Sequence, residues 1–583
     1  MQRARVVIAC LIAAPFFLAF GQPAQPQAKD KADPLVGQRV AAFVLPDSAG
    51  KQVGGADFKD AKAIVVVFMG TKCPIGNAYL PILLDLHKQY RDKGVHFVGI
   101  NANPGDSADA IARHVKDYAI PFPVLVDAKQ SALTLFEASR TPEVFLLDGR
   151  NVIRFHGRID DRYGLDYKRD EPRRHDLREA LDEVLAGKKV SVTTTEIAGC
   201  KITPAGALKK GDVTYARHVA PILHKNCVDC HRPGTAAPFS LLTYDDAVNW
   251  SAMMREVVSQ RRMPPWHADP RFGHFANTRN LSPEEIHTIR AWVDHGTPRG
   301  DKKDEPTPPK FDDGWRIGKP DVVFKMPTEF KVPATGTVKY QYFTTKTNFK
   351  EDVYIQAAET RPGNRAVVHH IIVFCQDPKT LIKQKIWVVS TAPGAEPVVF
   401  PKGLGRKIPA GAELIWQMHY TPTGKEETDR SEVAFVFCKD PPKSDVINFG
   451  VANMTFKIPA GEPSHKVTSA IPVFKDAVLL SLYPHMHVRG KAFQYEAVFP
   501  DGKRQMLLSI PQYDFNWQNT YRLKEPLFLP KGARLECTAH FDNSAANPAN
   551  PDPTKAIRWG DQTWDEMMIG YVDFYYVEAK EKK

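Results

Sequence analysis

The sequence predicts a multidomain protein that begins with an α/β unit, continues with a small all-α unit and ends in a large all-β region of β-sandwich type. Apolar strands alternate with amphipathic helices up to about residue 189, and a short helical unit follows. Beyond a polar, Pro-rich stretch at residues 300–313, short strands are separated by Pro, Gly and Asn turns. Several cores are expected from 583 residues, since single domains mostly end at ~250 residues.

The first residues have the pattern of a secretory signal peptide. Two arginines precede an apolar run that ends at the small-residue step Ala19-x-Gly21, so we assign residues 1–21 to the signal. This run is too short for a membrane span, and no other stretch is long and apolar enough to cross a bilayer. We therefore expect an exported, periplasmic protein with no transmembrane segment.

The charge pattern argues against nucleic acid as a partner. The net charge is +11, but Lys and Arg are interspersed with Asp and Glu and form no basic block, which is typical of a solvated surface. Eight cysteines, one of them inside the signal, are too few for a disulfide scaffold in a chain of this size. Each of the other cysteines therefore needs its own explanation.

The α/β unit, assigned to residues 37–189, places a cysteine at a strand-to-helix turn. The buried strand AIVVVFMG is followed by Cys73 and an amphipathic helix, and the free N–H groups of that helix, with neighbouring Lys72, favour the thiolate. Pro142 begins a later strand in RTPEVFLLD. The unit resembles the thioredoxin-like superfamily, particularly its peroxiredoxin and exported redoxin branches. The resemblance implies a cis Pro142 that faces Cys73.

One departure from that superfamily matters for the chemistry. The second cysteine of the usual Cys-x-x-Cys motif is Gly76 here, which excludes dithiol exchange within the motif. Three alternatives stay open: a one-cysteine peroxidase-like site at Cys73, a redox pair of Cys73 with the distant Cys200, or a domain kept for docking. A disulfide between Cys73 and Cys200 is the working hypothesis.

The helical unit, assigned to residues 212–299, contains Cys227-x-x-Cys230-His231, the attachment signal for c-type haem. The two thiols add to the haem vinyl groups and the imidazole becomes an axial iron ligand. A zinc site would need a second ligand pair at suitable spacing, and none is evident. The unit resembles a small monohaem cytochrome c with one covalent haem. Met263 is the expected sixth ligand and His267 is the alternative.

The all-β region places five histidines in three apolar stretches: His369, His370, His419, His485 and His487. Residues i and i+2 of a strand face the same way, so the histidines of HMH can bind one metal ion side by side. The adjacent pair in VVHHIIVF needs a bulge or a strand end to do so, and it needs a third ligand. His419 in WQMHY is the best candidate for that ligand.

The ordered set AVVHHIIVFC, WQMHYTP, HMHVRGKAF and WDEMMIGYVDFYY resembles the copper type II monooxygenases, the family of peptidylglycine α-hydroxylating monooxygenase and dopamine β-monooxygenase, over residues 319–583. The resemblance implies two tandem β-sandwich domains, here residues 319–445 and 446–583 after a linker at 300–318, each with one copper ion. Imidazole suits both copper oxidation states, and a thioether stabilises Cu(I).

The resemblance also implies roles for individual residues. His369, His370 and His419 match the ligands of the electron-transfer copper, whereas His485, His487 and Met567 match the ligands of the oxygen-binding copper. Gln417 matches a polar residue two positions before the lone histidine, and Tyr571 matches a tyrosine on the substrate side.

Two departures limit the resemblance. Tyr483 stands where the peptide-amidating enzymes carry an arginine, so amidation of peptide C-termini is not supported. Met568 replaces the cysteine that normally follows the ligand methionine, which leaves Cys537 without its family partner. Cys375 and Cys438 either pair with each other or are free.

The sequence therefore predicts an exported monooxygenase with two copper ions and one haem c, which hydroxylates an aliphatic C–H bond of a small organic substrate with O₂. The haem is expected to pass electrons from an external donor to copper. The alternative is a periplasmic protein that handles thiols and copper without oxygenase activity. In that case the thioredoxin-like unit and the metal sites serve thiol exchange or metal delivery.

Overall fold

The computed structural model describes residues 33–164, 167–204, 212–235, 237–311, 314–377, 379, 385–392 and 395–577. The signal peptide assigned to residues 1–21 therefore lies outside the described residues. Within the described part of the chain, no helix has the length and apolar character needed to cross a membrane.

The α/β unit is built on one five-stranded sheet with the order β5-β4-β3-β7-β8. Strands β3, β4 and β5 are parallel, and β7 and β8 are antiparallel to their neighbours. The strands of the unit are β1 (Val44–Pro46), β2 (Gln52–Gly54), β3 (Ala63–Phe68), β4 (Val95–Asn101), β5 (Val124–Val126), β6 (Arg140–Thr141), β7 (Glu143–Asp148), β8 (Ile153–Gly157) and β9 (Cys200–Lys201), and its helices are α1 (Pro74–Tyr90), α2 (Ala108–Asp117), α3 (Ser131–Phe136) and α4 (Asp176–Leu185).

The continuous apolar run of β3 follows from burial on both faces of this sheet. Val65 and Val67 point into one core, and Ile64 and Val66 point into the other. The unit extends past the predicted boundary at residue 189, because Ile202, directly after β9, packs in the second of these cores.

The next unit consists of helices packed around a small core. Its helices are α5 (Ala220–Asn226), α6 (Tyr244–Asn249), α7 (Ser251–Ser259) and α8 (Pro283–Asp294), and a π turn at Tyr215–Val219 precedes them. The first turn of α8 is closed by a capping box, in which Ser282 and Glu285 exchange backbone and side-chain hydrogen bonds of 3.1 and 2.8 Å. Trp292 of this helix is fully buried in the core. Phe311 of the predicted linker also packs there.

The large C-terminal region is all-β, as predicted, and its first part forms a sandwich of two sheets. One sheet has the order β12-β18-β14-β15, and the other has the order β10-β20-β13-β17-β21 with β16 paired to β13. Both sheets contribute buried side chains to one core. The strands are β10 (Val322–Lys325), β11 (Phe330–Val332), β12 (Gln341–Lys346), β13 (Val353–Arg361), β14 (Val368–Gln376), β15 (Lys385–Thr391), β16 (Val398–Val399), β17 (Leu404–Ile408), β18 (Glu413–Tyr420), β19 (Glu427–Asp429), β20 (Glu432–Phe437) and β21 (Ser444–Asp445).

The second part of this region is another sandwich, with sheet orders β22-β31-β25-β28 and β24-β29-β26-β27 around a second core. Its strands are β22 (Ile447–Ala452), β23 (Lys457–Ile458), β24 (His465–Pro472), β25 (Ala477–His485), β26 (Gly490–Val498), β27 (Arg504–Ile510), β28 (Tyr521–Leu529), β29 (Arg534–Phe541), β30 (Ile557–Arg558) and β31 (Ile569–Tyr576).

Polar contacts connect these units. The guanidinium of Arg406 in β17 is buried and donates to the Asp573 carboxylate in β31 at 2.5 Å, which ties the two sandwiches together. The segment before α8 lies on the second sandwich, where Asn519 donates to the Pro265 carbonyl at 2.9 Å. Arg140 in β6 donates to Glu256 in α7 at 2.6 Å, which links the α/β unit to the helical unit.

Candidate functional site

Three of the five predicted metal-binding histidines form a cluster at a β-bulge. The pairing of β14 with β18 shifts register between Val368 and His370, so His369 is an extra residue and His370 lies directly opposite His419. This is the irregularity that adjacent histidines need in order to turn toward one ion. One ligand nitrogen from each of the three imidazoles lies within 4.8 Å of the others.

The surroundings of the cluster keep its imidazoles neutral. Loss of hydration lowers the pKa of His369 to about 4 and holds the pKa values of His370 and His419 well below their usual range. The ring of Tyr340 packs against His370 and His419 with centroid distances of 5.4 and 5.0 Å. The Nδ1 atom of His419 is buried and has no hydrogen-bond partner among the described residues. A neutral imidazole nitrogen without a partner is available as a ligand.

The other two histidines form a second group at the end of β25. The rings of His485 and His487 lie 5.2 Å apart, and Met486 between them is buried in the core of the second sandwich. The Nδ1 atom of His485 is hydrogen-bonded to Gln518 Oε1 at 2.8 Å, and that of His487 lies 3.2 Å from the Asp565 carbonyl oxygen. These bonds orient the rings. Burial lowers the pKa of His485 to about 4 and that of His487 to about 3.

A buried carboxylate connects the predicted methionine ligand to this second group. Glu566 is fully buried, and its side chain accepts the backbone N–H groups of His487 at 2.9 Å, Arg489 at 2.6 Å and Met567 at 3.3 Å. The same carboxylate therefore ties the backbone of Met567 to the backbone of His487. Met567 itself is half-buried.

One aromatic ring lies between the two histidine groups. The centroid of Phe515 is 6.2 Å from that of His369 and 6.1 Å from that of His487. The groups on the two sandwiches therefore face each other across a single side chain. Sequence reasoning missed Phe515 and also Gln518, which both lie in the loop DFNWQN, because this loop has no periodic pattern that indicates its place in the fold.

The remaining predicted residues of the all-β region lie at the edges of these groups. Gln417 shares a strand face with His419 and donates to the Tyr342 hydroxyl at 2.7 Å. Tyr571 packs edge-on against Trp387 at 4.5 Å, and Trp387 contacts Tyr483 at the same distance. The hydroxyl of Tyr483 donates to the Gln518 side-chain oxygen at 3.1 Å.

The described cysteines of the β region are free thiols with separate surroundings. Cys375 is buried in the core of the first sandwich, whereas Cys438 lies 3.8 Å from the Gln356 side chain at the end of β20. Cys537 is buried in the core of the second sandwich. The structure therefore brings none of these three thiols together.

The haem-attachment motif begins at the end of α5. Cys227 follows this helix and packs against the helical core, and the N–H of His231 donates to the Cys227 carbonyl at 2.9 Å. The Nδ1 atom of His231 lies 3.3 Å from the Phe239 carbonyl oxygen, so Nε2 is the ring nitrogen that remains for the predicted iron bond. Met263 packs against the same core as Cys227. The alternative ligand His267 instead lines a small pocket on the second sandwich.

The first predicted thiol lies where the sequence places it. Cys73 is the N-cap of α1, and its Sγ accepts the N–H of Gly76 at 3.3 Å. The Thr141–Pro142 bond is cis, as the resemblance implies, and the Thr141 carbonyl oxygen lies 2.8 Å from the Cys73 sulfur. Cys73 is only 2% exposed.

A second thiol lies beside the first. Strand β9 pairs with β6, which places Cys200 directly opposite Thr141. The hydrogen bond from the Cys200 thiol is the main reason that the pKa of Cys73 falls to about 6, against the opposing effect of burial. The same contact, together with burial, raises the pKa of Cys200 well above its usual range.

Comparison with known proteins concerns the N-terminal unit. Residues 36–156 match the AhpC/TSA family. The N-terminal unit is a thioredoxin-like domain. The thiol-disulfide oxidoreductase ResA of Bacillus subtilis (strain 168) is 31% identical over 106 residues, which are 18% of this chain and 58% of that relative. ResA of Bacillus thuringiensis (strain Al Hakam) is 29% identical over 119 residues, or 20% of this chain and 67% of the relative.

A solved structure is similar as well. The hypothetical protein SMc02350 from Sinorhizobium meliloti 1021 is 34% identical, with 30% of this chain and 96% of that chain covered and a TM-score of 0.28. The chain spans about three-fifths of the length of ResA from Bacillus subtilis (strain 168). In this thioredoxin-like domain Gly76 occupies the second cysteine position of the Cys-x-x-Cys motif, and Cys200 lies opposite Thr141 on the paired strand.

Proposed function

We propose that this chain is an exported oxidoreductase that handles thiols and copper. The thioredoxin-like domain exchanges electrons at Cys73, and the all-β region binds copper. The AhpC/TSA match and the ResA relatives support the thiol half. One observation carries the copper half: the ligand nitrogens of His369, His370 and His419 converge within 4.8 Å.

The residues of the cluster fit copper. All three donors are imidazoles held neutral by loss of hydration, and His419 carries a buried Nδ1 with no partner among the described residues. Imidazole binds both Cu(I) and Cu(II). The same donors also suit Zn²⁺, so the metal has to be identified by experiment.

The protein's contribution at this site is to hold and shield the ligands. When bound, copper supplies one-electron redox chemistry there. The opposed strand positions of His370 and His419 fix two of the rings, and the bulge turns His369 toward them. Tyr340 covers the cluster from one side, and Phe515 lies against it on the side of the second sandwich. These rings exclude water from the ligands.

The helical unit is proposed to hold one covalent haem c. Cys227 and Cys230 would hold the haem through thioether bonds, and His231 and Met263 would bind its iron. The Phe239 carbonyl supports this assignment because its contact with His231 Nδ1 fixes the tautomer. This group supplies one-electron transfer from an external donor.

A second candidate function is hydroxylation of a small organic substrate with O₂. It is favoured by the second imidazole pair, His485 and His487, which faces the first cluster across Phe515. In this function His485, His487 and Met567 hold a second copper ion, and Gln417 and Tyr571 flank the substrate. The AhpC/TSA match supports thiol handling and gives no support to oxygenation.

The test of copper binding compares the full chain with two histidine variants. Wild type, His419→Ala and His540→Ala are dialysed against equal Cu²⁺ and Zn²⁺, and the bound metals are counted. His540 is half-exposed on β29, outside both histidine groups, so its variant is the control. The proposal predicts that His419→Ala loses one copper and that the control keeps its copper. Equal copper in all three proteins would contradict the proposal.

The two candidate functions are separated by oxygen consumption. The reduced, copper-loaded chain is mixed with a panel of small organic substrates while O₂ uptake and products are followed. Hydroxylation requires uptake that depends on the substrate and yields an equivalent amount of hydroxylated product. If no substrate in the panel increases O₂ uptake, the thiol and copper function remains as the function of the site.

A further inference from the structure

We propose that Cys200 is the resolving thiol of Cys73, so that the two residues form a reversible disulfide that reduces external disulfides. This proposal rests on the proposed thiol function of the thioredoxin-like domain and assigns its second sulfur. The second cysteine, which the Cys-x-x-Cys position lacks, is then Cys200. It lies 127 positions after Cys73, on the segment that leads to the helical unit.

The strand pairing brings the two thiols to the same place. Thr141 is the strand partner of Cys200, and its carbonyl oxygen contacts the sulfur of Cys73 at 2.8 Å. The approach is tight, because a Cβ atom at Gly199 would lie 2.2 Å from the same carbonyl oxygen. Only a residue without a side chain allows β9 to lie this close to β6. Gly199, the residue before Cys200, therefore allows the close pairing of β9 with β6 that brings the Cys200 thiol to Cys73.

The two sulfurs are chemically unlike. Cys73 lies at the N-terminus of α1, accepts the Gly76 N–H and has a pKa lowered mainly by the Cys200 thiol beside it, which favours its thiolate. Cys200 keeps its proton because its thiol hydrogen-bonds to that sulfur and is partly desolvated. This difference makes Cys73 the attacking thiolate and Cys200 the thiol that reacts second.

Charged contacts hold β9 against both neighbouring units. Arg140 donates to the Gly199 carbonyl at 2.8 Å and to Glu256 of α7 at 2.6 Å, and Lys201 lies 3.6 Å from the same carboxylate. Cys200 is half-buried, whereas Cys73 is almost fully buried. The proposed reaction therefore requires β9, which lies beside Cys73, to move aside when an external disulfide reaches the Cys73 sulfur.

The reaction balances with an external disulfide as the oxidant. The Cys73 thiolate attacks a disulfide R–S–S–R, forms a mixed disulfide and releases one R–S⁻. The Cys200 sulfur then attacks the Cys73 sulfur, its proton passes to solvent or to the leaving thiolate, and the second R–S⁻ leaves. The protein dithiol loses two electrons, and the external disulfide gains two electrons and becomes two thiols.

Oxidised glutathione is a suitable probe for this pair. The reduced full chain is treated with oxidised glutathione, alkylated and digested without reductant, and the cross-linked peptides are identified by mass spectrometry. Wild type should yield the Cys73–Cys200 disulfide. Cys200→Ser should accumulate glutathione on Cys73. Cys438→Ser, which removes another half-buried thiol, should leave the cross-link unchanged.

The outcomes separate this proposal from the function on which it rests. Glutathione on Cys73 of wild type without any Cys73–Cys200 peptide would overturn the role of Cys200 and leave the thiol function intact. A Cys73 that reacts in neither wild type nor Cys200→Ser would overturn both. The first of these results comes from the wild-type peptide map alone, so misfolding of a variant cannot produce it.

Discussion

His370 and His419 lie directly opposite each other on the paired strands β14 and β18, with ring centroids 4.9 Å apart. Opposed residues of an antiparallel pair have Cβ atoms about 5 Å apart, which is a suitable separation for two imidazoles that share one ion. His369 joins them only because the bulge inserts it beside His370. The histidine cluster therefore depends on the register in which β14 pairs with β18.

Met567→Ile tests the second metal site. If the thioether is a ligand beside His485 and His487, the substitution removes a soft donor and disfavours Cu(I) at that site. The sulfur scatterer should disappear from the Cu(I) X-ray absorption spectrum, while copper at His419 and its neighbours is retained. If Met567 only packs, this volume-conserving change should cost less than about 1.5 kcal/mol and leave the spectrum unchanged.

Gln518→Leu tests the orientation of His485. The Gln518 oxygen is bonded to Nδ1 of this ring at 2.8 Å, and loss of such a partner typically lowers metal affinity by about 10-fold to 100-fold. We expect a loss in this range at the second site only, measured by competition with a copper chelator. Gln505→Leu, at an exposed position of β27, is the matched control and should not change affinity. Equal affinities for the two variants would show that Gln518 does not position the ligand.

Cys200→Ala should raise the pKa of Cys73. The hydrogen bond from the Cys200 thiol is the largest contribution that lowers this pKa, and alanine removes the donor. The midpoint of the rate of iodoacetamide alkylation at Cys73 against pH should therefore move upward. A midpoint that is the same in both proteins would mean that the helix N-terminus alone activates the thiol.

His156 should make the thioredoxin-like domain less stable at high pH. Burial lowers its pKa, but hydrogen bonds to Glu143 at 2.8 Å and Asp33 at 2.5 Å outweigh burial and raise the pKa overall. A raised folded-state pKa adds stability below the unfolded value of about 6.5, and this stability is lost as the pH rises through the folded value. When the pH rises above the folded-state pKa of His156, hydrogen exchange of the β8 amides should therefore accelerate. The acceleration should exceed the increase of the intrinsic exchange rate with pH.

The matched variant for this prediction is His156→Gln. It keeps polar atoms near Glu143 and Asp33 but cannot titrate, so the extra acceleration should vanish. If hydrogen exchange of the β8 amides has the same pH dependence in wild type and variant, the ion pairs of His156 do not contribute to the stability of the domain.

Met263→Ala tests the haem ligand. Met263 packs against the helical core with Cys227, whereas His267 lies against the second sandwich. The oxidised protein should lose the weak methionine-to-ferric charge-transfer band in Met263→Ala and keep it in His267→Ala. The opposite pattern would assign the sixth position to His267.

Features with a local or periodic pattern were predictable from the sequence. The buried strand before Cys73 and the helix after it appear where their residues indicate, and Pro142 is cis as the resemblance to the thioredoxin-like superfamily implies. The bulge at the paired histidines was also predictable, because two adjacent side chains of a regular strand point to opposite faces. The separation of the chain into α/β, helical and all-β parts follows from the same periodicity.

Features that depend on long-range contacts were less accessible. The sequence offered Cys200 only as one of three possibilities, because its place depends on a two-residue strand that pairs with β6. Phe515 and Gln518 lie in an irregular loop, and Trp387 packs between tyrosines of the other sandwich. Nothing in the spacing of these residues relates them to the histidines, since the contacts exist only after the two sandwiches have docked.

Anomalous diffraction at the copper absorption edge, from crystals of the full chain loaded with copper, tests the central claim most directly. The account predicts an anomalous peak among the ring nitrogens of His369, His370 and His419, where three neutral imidazoles converge. Copper bound elsewhere on the chain, with no peak between these three rings, would contradict it.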